Sequence, residues 1–249
     1  MKSILLTNDD GINAEGIKIL RDELRRFAHV FVVAPDQERS AVSHGLSIHT
    51  RLTFEPAGED SFALNGTPAD CVIYALDNLF ITPPDMVISG INHGANLGDD
   101  IMYSGTVAAA REAARYGIPA IAVSQEYKDR KKIRFNEGSE FIGKMVKTIF
   151  DNGLDGELLL NVNIPIGKIK GMKITRHGCS EYPRHFNSTN DKSNSSSLTQ
   201  LYSQQNEFIS DRLAVLNGYV SITPLKRDQT DYIAIQSLTE AAKQLLGKF

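Results

Sequence analysis

Short apolar runs, each ending in a polar or glycine-bearing loop and separated by stretches of helical periodicity, constrain this chain more than any other feature. Ser3 to Thr7 is such a run and ends in Asn8-Asp9-Asp10-Gly11, the pattern of a buried parallel strand followed by a loop. Ile17, Leu20, Leu24 and Phe27 then recur at helical spacing, and Val30 to Ala34 is the next apolar run, stopped by Pro35. Strand, helix and strand joined in this way make a right-handed βαβ unit, the start of a doubly wound α/β sheet. Met86 to Ser89, Pro119 to Ser124 and Leu158 to Ile164 read as further strands. Helices are expected after Thr67, an N-cap with Pro68 at the first helical position. Two more are expected, one from Thr106 to a terminal Gly117 and one near Glu137 to Phe150.

Two regions break the alternation. Gly45 to Leu64 is irregular, and the alternation from Leu46 to Phe54 suits an antiparallel excursion. Asn187 to Ser197 is polar and of low complexity, the composition of a loop or hairpin tip, with possible strands on either side. Tyr219 to Thr223 then reads as a last strand before Pro224, and the end from Leu238 to Phe249 as a short amphipathic helix. The expected division is an α/β unit over residues 1–176 and a β-rich arm with a terminal helix over 177–249.

Composition removes several functions. At 41% hydrophobic residues a packed core is within reach over 249 residues. A formal charge of −3, from 27 basic and 30 acidic residues, argues against bulk binding to nucleic acid or anionic membrane. The basic run of Lys128, Arg130, Lys131, Lys132 and Arg134 reads as a solvated loop. No stretch approaches the roughly 18 to 20 apolar residues of a membrane span, and the first apolar run is too short for a signal peptide, so a cytoplasmic protein is expected. Cys71 and Cys179 show no zinc spacing, and Cys71 sits in an apolar helical pattern as a core residue. The six histidines form no HExxH, and no GxSxG elbow is present, which argues against zinc and serine hydrolases.

The chemistry-bearing residues gather where strands end. Asp9 and Asp10 follow the first strand, and adjacent carboxylates repel each other unless a cation relieves the cost. Asn-Asp-Asp-Gly is also good turn chemistry, and for the segment alone the two readings are even. Asn92 and Asn96 lie past the strand Met86 to Ser89, among Gly90, Gly94 and Gly98, and offer amides as metal ligand or hydrogen-bond donor. Ser104, Gly105 and Thr106 open a helix, where free N–H groups suit an anion and where either hydroxyl also serves as an ordinary N-cap. Ser40 lies in the loop after the second strand and reaches the same edge, with Arg39 and His44 nearby in sequence. Three strand-end loops bringing acids, amides and hydroxyls together favour a site over three unrelated turns.

The segments LLTNDDGINAEGI, NGTPADCVIYAL, SGINHGANLGDDIMYSGTVAAAREA and GYVSITPL together resemble the SurE (survival protein E) phosphatases, in consistent order through nearly the whole chain. The resemblance implies a Rossmann-like domain and one divalent cation per subunit, magnesium or manganese, held by Asp9, Asp10, Ser40 and Asn92. It implies hydrolysis of nucleoside 5′- or 3′-monophosphates, with short polyphosphate as a further substrate. It also implies homodimers or homotetramers that exchange carboxyl-terminal elements. In this reading Asp9 and Asp10 act on the attacking water, and Asn96, Ser104, Gly105 and Thr106 hold phosphoryl oxygens. Ala41 departs from the family, which usually has glycine after the serine. The rivals are a haloacid-dehalogenase-like phosphatase, which wants two acids separated by one residue, and a nucleotide-binding module without catalysis.

Overall fold

The computed structural model describes residues 1–153, 157–178 and 208–246. Among them nine strands form one sheet, in the order β3-β4-β2-β1-β5-β6-β7-β9-β8. The strands are β1 (Ser3–Thr7), β2 (His29–Pro35), β3 (Phe54–Gly58), β4 (Ser61–Leu64), β5 (Met86–His93), β6 (Ala120–Gln125), β7 (Leu159–Ile164), β8 (Met172–Ile174) and β9 (Val220–Pro224). From β4 through β7 every neighbouring pair is parallel. The chain moves outward from β1 to β2 and later returns to pair β5 on the other side of β1. That reversal is the crevice in which open α/β sheets bind ligands, beyond the carboxyl ends of the strands.

Helices cover both faces because the strands alternate inward-facing residues between two cores. Ile4 and Leu6 of β1 join one core with Ile17, Leu20 and Leu24 of α1 (Glu15–Leu24) and Ile142 and Val146 of α4 (Asn136–Asn152). Leu5 faces the other, with Cys71, Val72 and Ala75 of α2 (Pro68–Asn78) and Val107, Ala110 and Ala113 of α3 (Gly105–Arg115). Each large aliphatic side chain buried this way contributes about 1.5 to 3 kcal/mol. Thr67 caps α2 as expected and shares a capping box with Asp70. Cys71 is buried and carries a free thiol.

The structure corrects several boundaries. The expected antiparallel excursion begins only at Phe54, where β3 pairs β4. From Leu46 to Thr53 the backbone is held instead by local turns and side chains: Ser47 N–H donates to Asp70 and Thr53 N–H to Asn65. β5 does not end at Ser89 but runs to His93, across an irregularity in its pairing with β6. Asn92 is therefore the penultimate residue of a strand, not part of the loop after it. β2 includes Pro35, whose carbonyl accepts Ile12 N–H.

The expected division at residue 176 meets a continuous sheet. β9 lies beyond that boundary yet runs antiparallel to β7 and parallel to β8, inside the same sheet. A short helix, α5 (Asp211–Leu216), precedes it. The predicted arm strands and Cys179 lie outside the described residues, as does the segment from Asn187 to Ser197. The terminal helix α6 (Tyr232–Leu246) starts earlier than the sequence pattern placed it. Its Ile233 and Leu238 are 80% and 67% exposed, so the described part of the chain does not cover these two.

Candidate active site

The loop after β1 is shaped by a residue that sequence reading passed over. Asn8 is fully buried, and its side chain closes the turn: Nδ2 donates to Gly11 O at 2.9 Å and Oδ1 accepts from Gly11 N–H at 3.1 Å. The turn throws Asp9 and Asp10 forward from the sheet edge in fixed directions.

Asp9 points to the α3 side. Its Oδ1 accepts the Thr106 hydroxyl at 2.6 Å and its Oδ2 the Thr106 N–H at 3.2 Å. Gly105 makes this approach possible, since a Cβ there would lie 3.0 Å from the Asp9 Cβ. Burial pushes the Asp9 carboxyl up to about 6; the Thr106 hydroxyl opposes that shift and the Asp10 charge adds to it. Asp10 points the other way. Its Oδ2 accepts His93 N–H at 3.0 Å. His93 Nδ1 lies 2.8 Å from the same oxygen but off the direction of a hydrogen bond. The His93 ring is held edge-on against Phe135.

Asn92 lies in β5 next to His93, whose N–H Asp10 accepts. Its Nδ2 donates to Gly94 O at 2.8 Å, which leaves Oδ1 as the atom for a ligand. Close packing here depends on Gly90, where a Cβ would lie 2.3 Å from Val123 O. Ser40 is exposed and donates to Glu38 Oε1 at 2.7 Å. Its loop is anchored next door, because Arg39 N–H donates to Asp9 O and Ser43 binds both Met102 O and Tyr103 O. Ala41 and Ser43 adopt positive φ of 56° and 54° in that loop, a conformation natural to glycine. Arg39 and His44 do not face the acids. The Arg39 guanidinium bonds Asp36 and Asn65 O, and His44 bonds Glu112.

The helix end offers less to an anion than its sequence suggested. Ser104 is the N-cap of α3, its Oγ accepting Val107 N–H at 3.1 Å. Ala108 N–H goes to Ser104 O and Thr106 N–H to Asp9. Among the described residues, Gly105 N–H is thus the open donor of this helix end, beside the Ser104 hydroxyl proton. The Thr106 hydroxyl, expected on phosphate, serves Asp9. Asn96 is likewise committed inside the protein: its Nδ2 donates to Ser124 Oγ at 2.7 Å, its N–H to Asn163 Oδ1, and its carbonyl accepts Asn161 and Asn163. It shapes the loop between β5 and α3, which Asp211 also braces by accepting Gly98 N–H at 2.8 Å.

Asn161, Asn163, Asp211, His93 and Asn8 were all missed in the sequence. Two asparagines alternating within a buried apolar strand were the available signal for the β7 pair. The residues present suit a hard cation. Asp9, Asp10, Ser40 and Asn92 offer only oxygen donors, and a desolvated carboxylate at Asp9 gains most from a nearby positive charge. Among the described residues no three His, Cys, Asp or Glu side chains form a group that could hold a metal ion.

A mostly parallel sheet with paired carboxylates at its switch point, beside a helix amino terminus, defines an α/β protein of the kind that binds ligands beyond the carboxyl ends of its strands. Comparison with known proteins gives the family. The model of the family described as "Survival protein SurE" matches residues 4–184, and the chain belongs to that family. It is 41% identical over 248 residues to a protein of Caldanaerobacter subterraneus subsp. tengcongensis named 5′-nucleotidase SurE, covering 95% of this chain and 96% of that one. A protein of the same name from Pelotomaculum thermopropionicum is 42% identical over 252 residues, covering 96% and 95%. The crystal structure of the SurE protein from Aquifex aeolicus superposes with a TM-score of 0.83 at 37% identity, covering 96% of this chain and 99% of that one.

Proposed function

We propose that this chain is a nucleoside 5′-monophosphate phosphatase that works with one divalent cation, magnesium or manganese, held by Asp9, Asp10, Ser40 and Asn92. The observation that carries the reading is the pair of neighbouring carboxylates fixed at the switch point, one braced by Thr106 and the other by His93. Family membership and the names of the similar proteins supply the substrate class. Nucleoside 3′-monophosphates and short polyphosphate belong to the same proposal as further substrates.

When bound, the cation supplies positive charge that offsets the phosphate's own and eases attack of water at phosphorus. The residues do the rest. Asp9 or Asp10 orients the water and takes its proton. Ser104 Oγ–H and Gly105 N–H, the donors left open at the start of α3, receive phosphoryl oxygens as charge develops. Asn96 and Thr106 act one step back, Asn96 by shaping the loop and Thr106 by fixing Asp9. The proposal places the enzyme in the cytoplasm as a homodimer or homotetramer, and the exposed apolar residues of α6 support assembly. No helix among the described residues is long and apolar enough to cross a membrane.

Phosphate release from AMP and GMP with added Mn²⁺ tests the reading. The wild-type protein should turn over only with metal, and Asp10→Ala should be inactive while unfolding at the wild-type temperature. A folded Asp10→Ala protein with near-native turnover at limiting metal would refute the assignment.

A further inference from the structure

The basic stretch from Lys128 to Arg134 reads in sequence as a solvated loop, and Lys128, Lys131, Lys132 and Arg134 are indeed exposed. Arg130 reaches back to the carboxylates. Its Nη2 lies 3.1 Å from Glu38 Oε1 and 3.8 Å from Asp10 Oδ1. The Glu38 oxygen it contacts is the one that accepts the Ser40 hydroxyl. Ser40, Glu38, Arg130 and Asp10 therefore form one chain of contacts around the rim of the cation site. The 3.1 Å contact with Glu38 keeps the guanidinium at the rim.

We propose that Arg130 binds the substrate's phosphate, gripping it from the side opposite Ser104 and Gly105. The inference rests on the reading of Asp9 and Asp10 as the cation site. Three observations lead to it. Both contacts of Arg130 use Nη2, and the Glu38 bond takes one of its two hydrogens; among the described residues the other Nη2 hydrogen, with its neighbour on Nη1 or Nε, is left as a fork that matches two phosphoryl oxygens once Asp10 is released. The arginine is 54% exposed while Asp10 is 5% exposed, so the guanidinium faces the approach to the acids from the solvent side. Finally, the bond to Asp10 is a long one at 3.8 Å, and a divalent cation on the carboxylates weakens that attraction. An incoming phosphate dianion replaces Asp10 as the partner of Arg130, while Glu38 keeps the side chain at the rim. The start of α3 leaves few donors for an anion, and Arg130 provides the charge-bearing ones that are missing.

The test is calorimetric titration of the full-length protein, first with Mn²⁺ and then with inorganic phosphate on the Mn²⁺-loaded protein. Arg130→Gln should bind Mn²⁺ at least as tightly as wild type, because a competing cation is gone. It should bind phosphate about 10- to 100-fold more weakly, the worth of a charge-assisted bond. The KM for AMP should rise with it, and Arg130→Lys should recover part of the loss by restoring charge without the fork. Unchanged phosphate affinity in Mn²⁺-loaded Arg130→Gln, or a lowered unfolding temperature as its only effect, would overturn the proposal and make Arg130 a loop staple. A wild-type protein that binds no Mn²⁺ would instead overturn the cation-site reading beneath it.

Discussion

Glu112 links the buried core of α3 to the loop that carries Ser40, and removing its charge tests how that loop is held. Its side chain is 1% exposed, and Oε2 lies 2.7 Å from His44 Nε2 while Oε1 accepts Arg115 at 2.5 Å. Burial pushes its carboxyl up, but the bonds from His44 and Arg115 outweigh it and leave the group below the ordinary value of 4.5. Glu112→Gln keeps the shape and removes the charge. A hydrogen bond to a charged group contributes about 1.5 to 3 kcal/mol, and the partial exposure of His44 reduces this to about 1 to 2 kcal/mol net. For a chain of this length that is roughly 2 to 8 °C in Tm. The sign follows from the depressed value. The contribution is fully present above pH 4.5 and is lost as pH falls through the lower folded-state value. Urea unfolding should therefore show the full gap between wild type and variant at pH 7, narrowing steadily below pH 4.5. The variant should also bind Mn²⁺ more weakly, because the Ser40 loop loses its tie to α3. A gap of equal size at pH 7 and pH 3.5, or none at pH 7, would show that the Glu112–His44 pair does not hold the loop.

Thr106→Val removes the hydroxyl that fixes Asp9 and keeps the side-chain shape, so Mn²⁺ affinity should fall about 10- to 100-fold in calorimetry with the fold intact. Equal affinity would mean that Asp9 needs no brace. Ala41→Gly relieves a positive φ of 56° and should stabilise the protein by about 0.5 to 1 kcal/mol in urea unfolding, after Gly's larger unfolded-chain entropy is counted. A destabilised variant would show that the loop is not strained there. Ending the chain after Asp231 removes α6 with its exposed Ile233, Ile235 and Leu238, and light scattering should then report smaller species or aggregates. A truncated protein with the full-length mass and stability would separate α6 from assembly.

The legible parts of the chain were those governed by local periodicity. The runs at β1, β2, β6 and β7 announce parallel strands because both faces of each are buried, and Thr67-Pro68 announces α2 through cap chemistry. Asp9, Asp10 and Asn92 were legible as site candidates because strand ends in such a sheet converge on one edge. The pairing of β9 with β7 was not legible, since it joins residues far apart in sequence and leaves no periodic trace. Nor was the use of each donor. Ser104 and Thr106 carry hydroxyls whichever partner they choose, and only the position of Asp9 decides that Thr106 faces a carboxylate rather than an anion. Arg130 was hidden for the same reason: five cations between Lys128 and Arg134 look alike until one of them is found 3.1 Å from Glu38.

The adjacency of Asp9 and Asp10 explains why the site sits on the edge of the sheet and not on either face. Consecutive residues leaving a strand point to opposite sides, and here each side has its own brace. Asp9 turns toward Thr106 at the start of α3, in the layer that packs Leu5 and Val107. Asp10 turns toward His93, whose ring rests on Phe135 in the layer that packs Ile4 and Ile142. A ligand in contact with both carboxylates must then lie between the two layers, in line with the ends of β1 and β5. β5 continues past Ser89 to His93, so Asn92 lies within the strand, next to the residue whose N–H Asp10 accepts. The order Asn8-Asp9-Asp10-Gly11 is thus fixed by the two-layered architecture as much as by the chemistry of the cation it is proposed to hold.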